Sequence, residues 1–119
     1  MSEKPVTDLS YLEEMGMGDN ALIIEMVELF LENTPETLRR IKKHRDEENW
    51  TQLAAEAHKL KPNLSYMGLE GAKQTVIEIE KMAKSQSDLD AVEAKIDEVE
   101  IICKKAYTEL QDRLVHLKG

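Results

Sequence analysis

One stripe of apolar residues constrains this chain more than any other feature. Val92, Ile96, Val99, Cys103, Ala106, Leu110, Leu114 and Leu117 recur at intervals of three and four, the period of a single helix face. A second stripe, Leu53, Ala57, Leu60, Leu64 and Met67, has the same spacing and stops at Gly68, where a left-handed C′ residue belongs. A third, Leu69, Ala72, Val76, Ile79 and Ala83, carries a helix to about Lys84. Further upstream Asp19 is a good N-cap, and Leu22, Met26, Leu29, Phe30, Leu38 and Ile41 predict a long helix ending near Asp46. Thr34-Pro35 interrupts that pattern. Because the apolar face resumes in phase, the expectation is one bent helix rather than two.

The connectors are short. Asp46-Glu47-Glu48-Asn49 is polar and leads into Trp50; Ser85-Gln86-Ser87 is a turn, and Ser87-Asp88-Leu89-Asp90 resembles a capping box with Asp in place of Glu. A short helix from Asp8 to about Met15, opened by Thr7 or Asp8 and closed at Gly16, precedes the long ones. The fold class expected is all-α: an antiparallel, up-down four-helix bundle with a short N-terminal helix beside it. No internal repeat or second domain is visible, so residues 1–119 read as one domain with its core at about 8–114. At 119 residues, folding removes roughly two-thirds of the unfolded chain's surface from water, enough for a core without disulfides or metal.

Charge narrows the function. Sixteen basic and 24 acidic residues give a formal −8, which leaves no counterion-release route to nucleic acid and repels anionic lipid. No apolar run approaches the roughly 18 residues of a membrane span, and the polar start from Met1 to Asp8 has no signal-peptide h-region. A single cysteine, Cys103, excludes an internal disulfide, lies on a core stripe and suits a reducing compartment. The expected location is the cytoplasm, with neither nucleic acid nor membrane as partner.

No glycine-rich phosphate loop, metal-spaced histidine pair or Glu-x-x-His di-metal motif occurs. Glu78, Glu80, Glu93 and Glu98 read as a solvated face, and no metal is expected. His58 is the unusual residue. Stepping about 100° per residue from the Leu53–Met67 stripe places it roughly 140° from the core direction. Ala54, Ala55, Pro62 and Ser65 surround it, where a helix surface ordinarily carries long charged side chains. A lone surface histidine is ordinarily nothing more; this floor of small side chains, open to a partner, sets it apart. Lys59 and Lys61 flank it, and Lys61, three residues on, shares enough of the face to meet an anion held on the ring. His44 sits in a basic last turn that the helix dipole explains, and His116 lies near the end of the last helix.

Ala57-His58-Lys59-Leu60-Lys61, followed by Met67-Gly68, resembles the signature of the histidine-containing phosphotransfer (HPt) domain. That signature is an Ala-His step, Leu and Lys two and three residues on, and Gly ten after the histidine. The likeness extends to the short first helix, the Gly18-Asp19 step and the acidic connector before Trp50, so it spans roughly Asp8 to Leu114. One position departs: family members usually have glycine four residues after the histidine, and here it is Pro62. A proline there has no N–H for the His58 carbonyl and crowds it, so a bend or widened turn at His58 is expected.

The resemblance implies a phosphorelay intermediate of two-component signal transduction. His58 would attack a receiver domain's phospho-aspartate through Nε2 and later surrender the phosphoryl group to a second receiver. Those receivers would belong to response regulators or hybrid sensor kinases. The chain would have no catalytic machinery and bind no cofactor of its own; Mg²⁺ would sit on the partner receiver domain. Lys61 would neutralise phosphoryl charge, Gly68 would be structural, and Ala54, Ala55, Lys59, Pro62 and Ser65, with parts of the preceding helix, would form the docking patch. Two alternatives stand beside this: a helical adaptor that is never phosphorylated, and the phosphoacceptor hairpin of a histidine kinase. The hairpin is expected beside an ATP-binding domain, for which this chain has no room.

Overall fold

Where the apolar stripes fall, the chain is helical. The computed structural model describes residues 5–119, so the polar start at Met1–Lys4 lies outside the described residues. The helices are α1 (Ser10–Met15), α2 (Asn20–Asp46), α3 (Trp50–Tyr66), α4 (Glu70–Ser85) and α5 (Leu89–Lys118), with no strand among the described residues. α2 packs against α3, α3 against α4, α4 against α5, and α5 back against α2, the pairing of a four-membered helical bundle. Every member of the α3 and α4 stripes is buried, as are Val92 through Leu110 on α5; Leu114 and Leu117 are half-buried.

α2 runs unbroken through Pro35, as one helix, and Asp19 caps it by accepting from the Ala21 and Leu22 N–H groups. Its core stripe differs from the expected one. Ile23, Val27, Phe30, Thr34, Thr37, Leu38 and Ile41 are buried, whereas Leu22 and Met26 are half-buried and Leu29 is exposed. Those three lie about 70–130° from the centre of the true stripe, where Met26 and Leu29 line a small cavity with Asn63, Tyr66 and Met67 at the end of α3. The first half of α2 is apolar on two faces, and composition alone does not say which one the bundle uses.

Two helix starts also differ from expectation. α1 opens at Ser10, not Asp8; Asp8 stands outside it and its Oδ1 accepts from Ser10 N and Oγ. No capping box forms before α5: Asp88 makes no side-chain cap, and Ser87 Oγ pairs instead with Ser85 Oγ.

The end of α3 is a Schellman motif, in which Leu69 N–H donates to Leu64 O and Gly68 N–H to Ser65 O. Gly68 has φ +72°, the left-handed region the sequence assigned to it. It also makes room: a Cβ there would fall 2.7 Å from Asp8 N, while Asp8 N–H donates to Met67 O at 3.0 Å. The segment before α1 is thus tied to the end of α3, and Glu109 ties it to α5 by accepting from Val6 N, Thr7 N and Thr7 Oγ1.

Candidate functional site

α3 and α4 meet along a tight seam, and His58 stands on its outer edge. Its side chain is 66% exposed, as its angle on α3 predicts. The ring lines a shallow groove of about 530 Å³ with Ala54, Ala55, Lys59, Glu80, Ala83 and Lys84 among the walls. Ala55, Lys59 and Pro62 are exposed, and Ser65 is half-buried with its Oγ enclosed and unpartnered. Ala54 corrects the expectation: it is 4% exposed and belongs to the core, forming the groove's packed floor. It lies about 100° from the Leu53–Met67 stripe. A helix flanked on two sides buries a wider arc than its central seam, so this position is covered by α4.

The residue that sequence reasoning missed is Glu80. Read as part of a solvated face, it is in fact buried, with a side chain only 7% exposed. Its Oε2 lies 2.9 Å from His58 Nδ1 and 3.1 Å from Lys84 Nζ, and its Oε1 lies 2.7 Å from Lys61 Nζ. Burial pushes the carboxyl up, but hydrogen bonds from Lys61, Lys84 and His58 outweigh it and hold the group at about 2, below its ordinary 4.5. The site therefore contains a firmly ionised carboxylate. A signal for it existed: on α4 Glu80 is about 60° from the centre of the apolar stripe, at the margin of the buried arc.

An ionised carboxylate can only accept, so His58 Nδ1 carries the proton and donates it to Glu80. In the neutral ring the other nitrogen, Nε2, then holds the lone pair, on the opposite edge of an exposed side chain. A carboxylate that orients an imidazole and fixes its tautomer leaves a nucleophile ready for an electrophile brought from outside. Lys61, 24% exposed, is partnered by Glu80 rather than free; Lys84, 66% exposed, shares Oε2 with the imidazole.

Beyond Pro62, one turn on, a second and larger groove of about 920 Å³ opens between α1, α3 and α4. Lys61, Pro62 and Ser65 line it together with Tyr11 and Tyr66, whose rings meet edge to face at 6.1 Å. α3 continues through Pro62 without interruption. Cys103 is buried in the core and its thiol is pushed up to about 12 by that burial, so it takes no part in a surface site. Among the described residues no helix is long and apolar enough to cross a membrane, and no cluster of three His, Cys, Asp or Glu side chains is arranged to hold a metal ion.

A helical bundle presenting one oriented, exposed histidine is the class of structure the chain forms. The family model described as Hpt domain matches residues 25–117, most of the chain, and the chain belongs to the Hpt domain family. Members of this family are phosphotransfer intermediates of two-component signalling that interact with receiver domains in phosphorelays. No match is found among curated proteins or among solved structures.

Proposed function

We propose that His58 accepts a phosphoryl group from the phospho-aspartate of one receiver domain and passes it to another. The observation that carries this reading is the Glu80–His58 contact, which directs Nε2, the nitrogen that carries the lone pair in the neutral ring, outward on an exposed side chain. In acceptance, the Nε2 lone pair forms the N–P bond while the P–O bond to the donor aspartate breaks and its electron pair stays on that carboxylate. Such a transfer depends mainly on positioning and charge neutralisation, so an oriented nucleophile beside two ammonium groups is chemically sufficient on this side. Mg²⁺ and the acidic pocket belong to the receiver, and this chain supplies no cofactor. Lys61 neutralises phosphoryl charge; Gly68 holds the end of α3.

Docking uses the rim around His58: Ala55, Lys59, Pro62 and Ser65, over the packed floor of Ala54. It extends to Tyr11, Met15, Met17 and Leu29, four of the six large apolar side chains that the core leaves exposed among the described residues; the other two, Ile101 and Val115, lie on α5. Tyr11 lines a groove with Lys61, Pro62 and Ser65, Leu29 lines another with Asn63 and Tyr66 of α3, and exposed apolar side chains beside a site mark interaction surfaces. The partners in this reading are receiver domains of response regulators or hybrid sensor kinases, met in the cytoplasm.

The test uses receiver domains phosphorylated on aspartate by a small-molecule donor in the presence of Mg²⁺. Mixed with this chain, at least one such receiver should lose its label to it, and the new phosphate should be acid-labile and base-stable. Failure of every receiver from the same organism to pass label would contradict the reading and favour an adaptor.

A further inference from the structure

We infer that Glu80 holds the Nδ1 proton on phosphorylated His58 and so keeps the phosphoryl group transferable. The inference rests on the reading of His58 as the acceptor and concerns the second half of the reaction, donation. Once phosphorylated on Nε2, the ring bears phosphorus on one nitrogen and hydrogen on the other. If Nδ1 keeps its proton, the P–N bond can break with its electron pair returning to Nε2, and neutral imidazole departs. If Nδ1 has lost the proton, the ring must depart as an imidazolate anion, a far poorer leaving group. No net proton is exchanged in the productive path: the receiver's carboxylate oxygen forms the new P–O bond as P–N breaks, and Nδ1–H is unchanged.

The geometry favours the protonated ring. Glu80 Oε2 lies 2.9 Å from Nδ1, and a hydrogen bond to the charged form of a group favours that form. The carboxylate cannot swing away, because Lys61 holds Oε1 and Lys84 holds Oε2 in a buried position. Charge points the same way. The charged groups facing the ring are Glu80 and Lys84 from α4 and Lys59 and Lys61 from its own helix; α2 contributes none to the groove. Lys59 lies 3.9 Å from Glu56 and its side chain is mostly exposed, so the compact cluster is His58, Lys61, Glu80 and Lys84. With a neutral imidazole that cluster carries one surplus positive charge. The transferred group brings one net negative charge, so the phosphorylated, Nδ1-protonated cluster is neutral. Losing the proton would leave it negative beside a buried carboxylate.

Glu80 is accordingly a positioning residue for donation, and its effect should depend on pH. The experiment follows transfer from phosphorylated protein to one fixed receiver between pH 6 and pH 9, for the parent chain and for Glu80→Gln. Each profile is read against its own rate near pH 6, because Glu80→Gln also weakens the hold on Lys61 and on the ring. On the alkaline side the variant should fall away at lower pH, by about one unit, which is roughly tenfold in rate at a fixed pH on that limb. A uniform slowing at every pH, or superimposable profiles, would overturn the inference. A measurement on the parent chain alone guards against a variant that misfolds: ¹⁵N chemical shifts of phosphorylated His58, followed against pH in the folded protein and in urea. The Nδ1 proton should persist to higher pH in the folded protein, and equal titration in both would overturn the inference independently. If the parent chain takes no phosphate on His58 at all, the proposed function fails and the inference falls with it, an outcome distinct from a normal acceptor with an unaltered profile.

Discussion

Lys61 Nζ lies 2.7 Å from Glu80 Oε1, while the other oxygen of the same carboxylate receives His58 Nδ1–H at 2.9 Å. One buried side chain on α4 thus holds both the imidazole and the ammonium that follows it by three residues on α3. In the proposed reaction the Lys61 ammonium turns part of its charge to the phosphoryl oxygens. A charge-assisted contact of this kind is worth about 1.5–3 kcal/mol, so Lys61→Ala should slow single-turnover transfer roughly tenfold to a hundredfold with the helical signal intact. Lys61→Arg, which keeps the charge, should recover a large part of the rate. An unchanged rate in Lys61→Ala would make this lysine only a partner of Glu80.

Acid should expose the same carboxylate. The Glu80 pKa is lowered in the folded protein, so its contribution to stability is present above the unfolded value near 4.5 and is lost as pH falls from there toward about 2. Urea unfolding midpoints should drop for the parent chain over that window. For Glu80→Gln the midpoint should be lower at pH 6, and the gap to the parent should narrow below about pH 4.5 and close near pH 2. A constant gap at all pH values would show that the ionised carboxylate is not what the cluster stabilises.

Gly68→Ala meets two obstacles at once. Its φ of +72° is strained for an L-residue, at about 1–2 kcal/mol, and the new Cβ would press on the backbone of Asp8. The bond from Asp8 N–H to Met67 O should be lost, and the segment before α1 should loosen from α3. Equilibrium unfolding should show a loss of at least that size, and the Asp8 amide should exchange faster with solvent. Parental stability would mean that the backbone shifts to accommodate the methyl group at no cost.

Pro62 occupies the thirteenth of the 17 residues of α3, a helix that continues past it. A proline in a helix interior costs up to about 3 kcal/mol, because one backbone bond is missing and the ring crowds the carbonyl four residues back. That carbonyl belongs to His58. Pro62→Ala should therefore stabilise the domain, by about 1–3 kcal/mol in chemical denaturation. If the proline also tilts the His58 turn, single-turnover transfer should change with it; a stabler variant with the parental rate would leave Pro62 as tolerated strain.

Much of this fold can be read in the sequence because its stripes are long and regular. Leu53–Met67, Leu69–Ala83 and Val92–Leu110 each present one apolar face, and each is buried. α2 was legible in extent but not in orientation: Leu22, Met26 and Leu29 compete with Ile23, Val27 and Phe30, and only packing against α3 and α5 selects the second set. The outward direction of His58 followed from its angle alone. Its chemistry did not, because the residue that fixes its tautomer is 22 positions away on another helix. Glu80 looks like any surface glutamate along the chain. What makes it different is the close approach of α3 to α4, which buries it and gives it three donors.

The claim that His58 Nε2 is the acceptor can be tested at the atom itself. The protein, labelled with ¹⁵N in its histidines and phosphorylated by a phospho-receiver, should show one ¹⁵N–³¹P coupling, assigned to Nε2 of His58. It should vanish in His58→Gln while the helical circular-dichroism signal stays. Coupling to Nδ1 of His58, or to a nitrogen of His44 or His116, would contradict the account.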